Sequence, residues 1–319
     1  MTAPDASDGP LPARPAPDLL PPDLDSGPVV QWMPAVQTAP LVLASPHSGR
    51  RYPRAFLQSS RLDTVGLRRS EDAFVEELFA DAPALGVPLV AATFPRAYVD
   101  ANREPFELDP TMFEDRPPAY ANVTSPRVAA GLGTIPRVVA GGAEIYAGKL
   151  RFAEARRRVD TCYTPYHDAL KRLVDATRAR FGACLLVDCH SMPSPDAVPG
   201  PAARPRAGSA RGEADVVLGD CHGTSCAPAI TDLAERTLRG MGLVVIRNAP
   251  YAGGYTTRHY SRPSAGVHTL QIEVSRALYM DEARVTRGPG LPALRRQLRA
   301  LVRRLAALAP SDLRPDGAA

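Results

Sequence analysis

The sequence has 319 residues, 45% of them hydrophobic and 23% charged, a balance that allows a large buried core and excludes a wholly disordered chain. The net charge is +4 and dispersed, and only Lys149 and Lys171 among the 38 basic residues are lysine, so nucleic acid is not an expected partner. No apolar run approaches the roughly 18 residues of a membrane helix, so a membrane is not expected either.

Eight prolines fall within residues 1–28, with no sustained periodicity. This predicts a disordered arm over 1–27, ahead of a single domain over 28–310 and a flexible tail over 311–319. The arm carries Asp5, Asp8 and Asp18 and lacks a basic start and an apolar core, so it does not read as a secretory signal. A first strand is predicted over Pro40–Ser45. Ser70 then caps a helix with Phe74, Val75, Leu78, Phe79 and Ala82 on one face. A second strand covers Val87–Phe94. One helix runs from about Ala147 to Thr161, and another begins at Pro165 with Thr164 as its cap. A third strand covers Cys184–Cys189. Met192–Gly212, rich in Pro, Ala and Gly, reads as a functional loop. Strands at Asp215–Leu218, Leu243–Arg247 and His268–Val274 follow, with helices at Ala227–Gly240 and Leu291–Leu308. The strands are short and apolar on both parities, as buried strands are. The alternation predicts an α/β domain with a mostly parallel sheet, whose ligands sit at the carboxyl ends of the strands.

The five cysteines, Cys162, Cys184, Cys189, Cys221 and Cys226, are odd in number and form no paired CxxC knuckles. Reduced thiols in a cytoplasmic protein are expected, and a zinc ribbon is not.

The predicted strand ends carry the chemistry. The first leads into Ser45-Pro46-His47-Ser48-Gly49, and the third into His190. Two histidines at two strand ends read as ligands of one divalent metal, and neutral imidazole suits zinc. A catalytic site of this kind takes a third protein ligand and leaves a position open. Asp72, in the first turn after Ser70, can supply it, with Glu71 the alternative. Glu273 lies in the last, largely apolar strand, where burying a carboxylate is costly. It reads as the general base of a hydrolase, or else as a structural glutamate paired with Arg276. Arg96, Arg103 and Arg258 lie in loops expected at the same sheet edge. Arginine forks match carboxylates, so a substrate with more than one anionic group is expected.

Ordered motifs run through residues 38–285: Ser-Pro-His-Ser-Gly (45–49), Ser-Glu-Asp-Ala-Phe (70–74), Pro-Arg-Ala-Tyr-Val-Asp-Ala-Asn-Arg-Glu (95–104), Pro-Tyr-His (165–167), Asp-Cys-His-Ser-Met-Pro (188–193), Gly-Gly-Tyr-Thr-Thr-Arg-His-Tyr (253–260) and Gln-Ile-Glu-Val-Ser-Arg-Ala-Leu-Tyr-Met-Asp-Glu (271–282). In these the chain resembles the N-formylglutamate amidohydrolase family, which is similar in fold to zinc carboxypeptidases and aspartoacylase. The resemblance implies a three-layer α/β/α domain around a mixed, twisted sheet. It implies one divalent metal, zinc, on His47, Asp72 and His190, with Glu273 as base. Arg96 would stabilise the oxyanion, Asn102 and Arg103 would grip substrate, and Arg258 would hold a carboxylate. The carboxypeptidase group has its ligand glutamate three residues after the first histidine, where this chain has Arg50; the acidic ligand is therefore placed at Asp72. Asp220-Cys221-His222-Gly223 also departs from the pattern, so His222 is unassigned, as is His167. The implied activity is metal-dependent hydrolysis of N-formyl-L-glutamate to formate and L-glutamate, in the setting of histidine breakdown. Deacylation of another N-acyl amino acid or small peptide, or non-catalytic carboxylate binding, are the alternatives. The sequence assigns no oligomeric state.

Overall fold

The computed structural model describes residues 27–194 and 214–314. The expected arm, apart from Gly27, lies outside the described residues, as does the Met192–Gly212 loop beyond Ser194.

Seven strands form one sheet: β1 (Val29–Trp32), β2 (Leu41–Ser45), β3 (Leu89–Ala92), β4 (Cys184–Met192), β5 (Val216–Gly219), β6 (Val245–Arg247) and β7 (Val267–Ser275), in the order β1-β3-β2-β4-β7-β5-β6. β3, β2, β4 and β7 run parallel. β1 and β5 pair antiparallel with β3 and β7, and β6 runs with β5. The sheet is therefore mixed. The edge strand β1 is absent from the sequence reading. It has four residues, and Gln31 and Trp32 are exposed, so it lacks the apolar run that marks the inner strands.

Side-chain parity builds the layers. Leu41, Leu43, Leu185, Val187, Leu270 and Ile272 face one side, packed under the helices Val75–Leu78, Pro228–Gly240 and Leu291–Ala306. Val42, Ala44, Val90, Cys184 and Leu186 face the other, under the helix Thr164–Phe181. The result is three layers, α/β/α. β4 and β7 pair along their whole length, from Cys184↔Val267 to Met192↔Ser275. On the Thr164–Phe181 side their residues turn from apolar to polar along the strands, ending in Asp188, His190, Gln271 and Glu273. The site is thus built on this face, near the carboxyl ends.

Two helices differ from expectation. Ser70 caps nothing: its hydroxyl accepts from the Ala140 N–H at 3.1 Å. The helix behind it is only Val75–Leu78, because Phe74 sits at φ 67°, a left-handed conformation that no helix continues through. Thr164 is not a cap either. The helix Phe152–Arg158 runs through a π-helical turn, Val159–Tyr163, directly into Thr164–Phe181. The wider turn accommodates Pro165 without a break. At the other end of the chain, the tail read as flexible from 311 is packed through Leu313, which is buried and whose carbonyl accepts from His268 Nε2 at 3.1 Å. No helix among the described residues is long and apolar enough to cross a membrane.

Candidate active site

His47 follows β2 in a loop pressed against the end of β3. A Cβ on Gly49 would overlap the Phe94 carbonyl, so the close approach requires glycine. His190 lies inside β4 rather than after it, beside Glu273 across the ladder. The Asp72 N–H donates to the His47 carbonyl at 3.0 Å, which turns its carboxylate toward both imidazoles. Asp72 Oδ2 lies 2.9 Å from His190 Nδ1 and 3.3 Å from His47 Nδ1. One ligand atom from each of the three lies within 4.8 Å of the others, and all three residues are buried.

The outer ring nitrogens are anchored to acids. His47 Nε2 lies 2.7 Å from Asp100 Oδ1, and His190 Nε2 lies 3.0 Å from Asp188 Oδ2. Each carboxylate assigns the proton to Nε2, so the Nδ1 lone pairs turn inward, toward Asp72. His47 Nδ1 is buried with no hydrogen-bond partner. Three electron-rich atoms facing one another could hold a metal ion. A divalent metal meets all three at once, whereas a proton bridges only two. The donor set suits zinc. The other Asp72 oxygen, Oδ1, accepts from Arg276 at 3.1 Å.

Glu71 points elsewhere. It accepts from the Tyr52 hydroxyl at 2.6 Å and from Arg68 Nε at 2.9 Å. Between the two acids, Asp72 is the one that joins the histidines.

Glu273 is not paired with Arg276, which donates instead to Asp72, to Ser191 Oγ and to the Arg69 carbonyl. Its Oε1 accepts from Gln271 Nε2 at 2.9 Å. That amide is oriented by the Gly254 N–H, which donates to Gln271 Oε1 at 2.8 Å. Burial pushes the Glu273 pKa up to about 7; His190 partly offsets this and Asp72 adds to it. A carboxyl poised near neutrality beside a candidate metal site can take up and return a proton at working pH.

A cavity of about 600 Å³ opens over these groups, and Arg96, Arg103, Arg127, Arg258 and Arg276 all line it. Arg96 Nε donates to Asp100 at 3.0 Å. Arg258 NH1 donates to the Gly253 carbonyl at 3.0 Å.

Comparison with known proteins decides the family. The model of the N-formylglutamate amidohydrolase family matches residues 39–280. The chain belongs to this family. It is 30% identical over 252 residues to an N-formylglutamate deformylase of Pseudomonas putida, covering 76% of this chain and 82% of that one. It is 29% identical over 248 residues to the deformylase of Pseudomonas aeruginosa, covering 76% and 83%. Among solved structures, the N-formylglutamate amidohydrolase of Ralstonia eutropha JMP134 superposes with a TM-score of 0.80 at 38% identity, covering 88% of this chain and 97% of that one.

Within this member of the family, the structure gathers His47, His190, Glu273, Arg96, Asn102, Arg103 and Arg258 around one cavity, with Asp72 against the two histidines. Asn102 has much of its amide committed to the protein. Its Oδ1 accepts from the Thr256 N–H at 2.8 Å, and its Nδ2 lies 3.1 Å from His190 Nε2. His167 stays outside the cavity lining. It bridges the Ala101 carbonyl and the Tyr260 hydroxyl, each at 2.9 Å, and so pins the loop that carries Asn102 and Arg103. His222 is exposed on a turn at φ 57° and belongs to no metal-ligating group among the described residues. Sequence reasoning assigned no role to Asp100, Asp188, Gln271 or Arg127. Asp188 and Gln271 carried a signal: each lies two residues before a site residue on a strand, and so on the same face.

Proposed function

We propose that this protein hydrolyses the formyl amide of N-formyl-L-glutamate, releasing formate and L-glutamate. Its likeness to N-formylglutamate deformylases supports the substrate, and one observation carries the chemistry. Glu273, buried with a pKa near neutrality, stands beside a His47–Asp72–His190 group under an arginine-lined cavity. A binding protein has no use for so costly a buried carboxylate.

His47 Nδ1, Asp72 and His190 Nδ1 would hold one divalent metal, zinc, which when bound acidifies water and polarises the amide carbonyl. Asp100 and Asp188 orient the two imidazoles, and Arg276 orients Asp72. Glu273 in its carboxylate form accepts a proton from the attacking water as the new C–O bond forms at the formyl carbon. Arg96, fixed by Asp100, donates to the oxygen as negative charge gathers on it. The Glu273 carboxylic acid then returns the proton to the departing nitrogen as the C–N bond breaks. Water is consumed, and one formate and one amine are produced. Arg258 and Arg103 receive the two carboxylates of the substrate. A two-histidine, one-carboxylate group on a mixed sheet supports kinship with the zinc carboxypeptidase fold, with the carboxylate supplied by Asp72 and not at the position of Arg50. All five cysteines are free, in keeping with a reducing, cytoplasmic setting.

The test is formate release from N-formyl-L-glutamate by the purified protein, with stoichiometric glutamate as the second product. N-acetyl-L-glutamate and N-formyl-L-leucine serve as comparisons. Faster turnover of either comparison would reassign the substrate.

A further inference from the structure

We propose that Arg127 selects for a second, side-chain carboxylate on the substrate, with Arg103 locked beside it. This deepens the reading of the cavity as an N-formylglutamate site and rests on it. Arg127 lies in the four-residue helix Pro126–Ala129 and lines the cavity. The helix is held at its start, where Ser125 Oγ accepts from the Val128 N–H at 3.1 Å and the Ser125 hydroxyl donates to Glu107. It is also held at its end, where the Arg127 carbonyl accepts from the Leu132 N–H at 2.8 Å.

The Leu132 carbonyl in turn accepts from Arg103 Nε at 3.0 Å, and Arg103 NH1 donates to the Asn102 carbonyl at 2.8 Å. A short run of backbone therefore fixes both arginines on one wall. Burial lowers the Arg103 pKa; Asp100 opposes this, and the charges of Arg96 and Arg127 add to it. The nearby acids are already engaged: Asp100 with His47, Arg96 and, at 3.7 Å, Arg103 itself, Glu107 with Ser125, and Asp109 with Arg137. Among the described residues, no carboxylate pairs with Arg127.

Arg103 has Asp100 as its partner, whereas the Arg127 charge on the same cavity wall has no carboxylate among the described residues and calls for an anion from outside. Arg258 comes from a separate element, the helix Tyr255–Tyr260, and suits a different carboxylate. Leu132, Pro136 and Val138 line the same cavity and offer apolar surface for the methylenes of a glutamate side chain. One substrate with two carboxylates, spaced by a short aliphatic chain, satisfies both cationic positions.

The experiment compares wild type with Arg127→Gln in two readouts. Calorimetry with glutarate, a dicarboxylate, and butyrate, a monocarboxylate, measures binding without turnover. A charged hydrogen bond to carboxylate predicts glutarate binding weakened roughly 10- to 100-fold, with butyrate little changed. Steady-state kinetics then compare N-formyl-L-glutamate with N-formyl-L-glutamine, whose side chain is neutral. The preference for glutamate should fall by the same factor, mainly through KM. Matching urea unfolding midpoints show that the variant is folded. Equal glutarate affinity in the two proteins overturns the proposal, whether or not either substrate turns over. Glutarate binding that depends on Arg127, with neither formyl amide hydrolysed, would leave the carboxylate seat standing and remove the deformylase reading instead.

Discussion

Replacing Glu273 with glutamine separates its chemical role from its structural cost. The side chain is 7% exposed, and burial raises its pKa from 4.5 to about 7. Below pH 4.5 the carboxyl is protonated in both the folded and unfolded chains and contributes nothing to the balance. Between 4.5 and 7 the unfolded chain releases a proton that the folded chain keeps, so stability falls as pH rises. Above 7 the whole penalty is present. At 1.36 kcal/mol per pH unit the gap corresponds to about 3 kcal/mol. Glutamine removes that penalty while keeping the shape. In urea unfolding of metal-stripped protein, Glu273→Gln should exceed wild type by under about 1 kcal/mol at pH 5 and by about 3 kcal/mol at pH 8. The same variant should bind zinc as wild type does yet lose nearly all formate release. In wild type, kcat/KM should rise with pH as the base ionises. A variant that is no more stable at pH 8 than at pH 5 would refute the buried-carboxyl argument, and one that retains turnover would refute the base.

Two further predictions concern groups around this carboxylate. Arg96→Met should lower kcat by roughly 10²- to 10³-fold, as loss of an oxyanion donor does; an effect confined to KM would make Arg96 a binding residue instead. Asp188→Asn removes the carboxylate that assigns the His190 proton to Nε2, so zinc affinity, measured against a competing chelator, should drop about 10- to 100-fold. Unchanged affinity would mean that the anchoring contributes nothing to the ligand.

The layered fold and the gathering of the candidate residues in one place were largely legible, for identifiable reasons. Buried strands announced themselves as apolar runs, and the polar residues that interrupt β4 and β7 marked the site. His190 and Glu273 were nonetheless read as sitting at strand ends. Alternation on one face of a continuing ladder looks the same in sequence as a strand stopping. Asp72 was correctly associated with the histidines, but as part of a helix that is not there. The left-handed turn at Phe74 leaves no trace in residue type, since that residue fits a helical face equally well. The π-helical turn before Pro165 was hidden in the same way, because Thr-Pro is a common helix start. β1 escaped notice through its exposed half. Asp100 was visible only as a member of a motif, since its contact with His47 spans 53 residues of sequence and depends on how two loops meet. Arg127 stood among many arginines, and only the backbone links to Leu132 and Arg103 set it apart.

The most direct test of the central claim follows formate release from N-formyl-L-glutamate through removal and return of the metal. The account predicts that chelation stops release and that about one equivalent of zinc per chain restores it, with His47→Ala neither binding zinc nor recovering. Full activity in protein shown to be metal-free would contradict it.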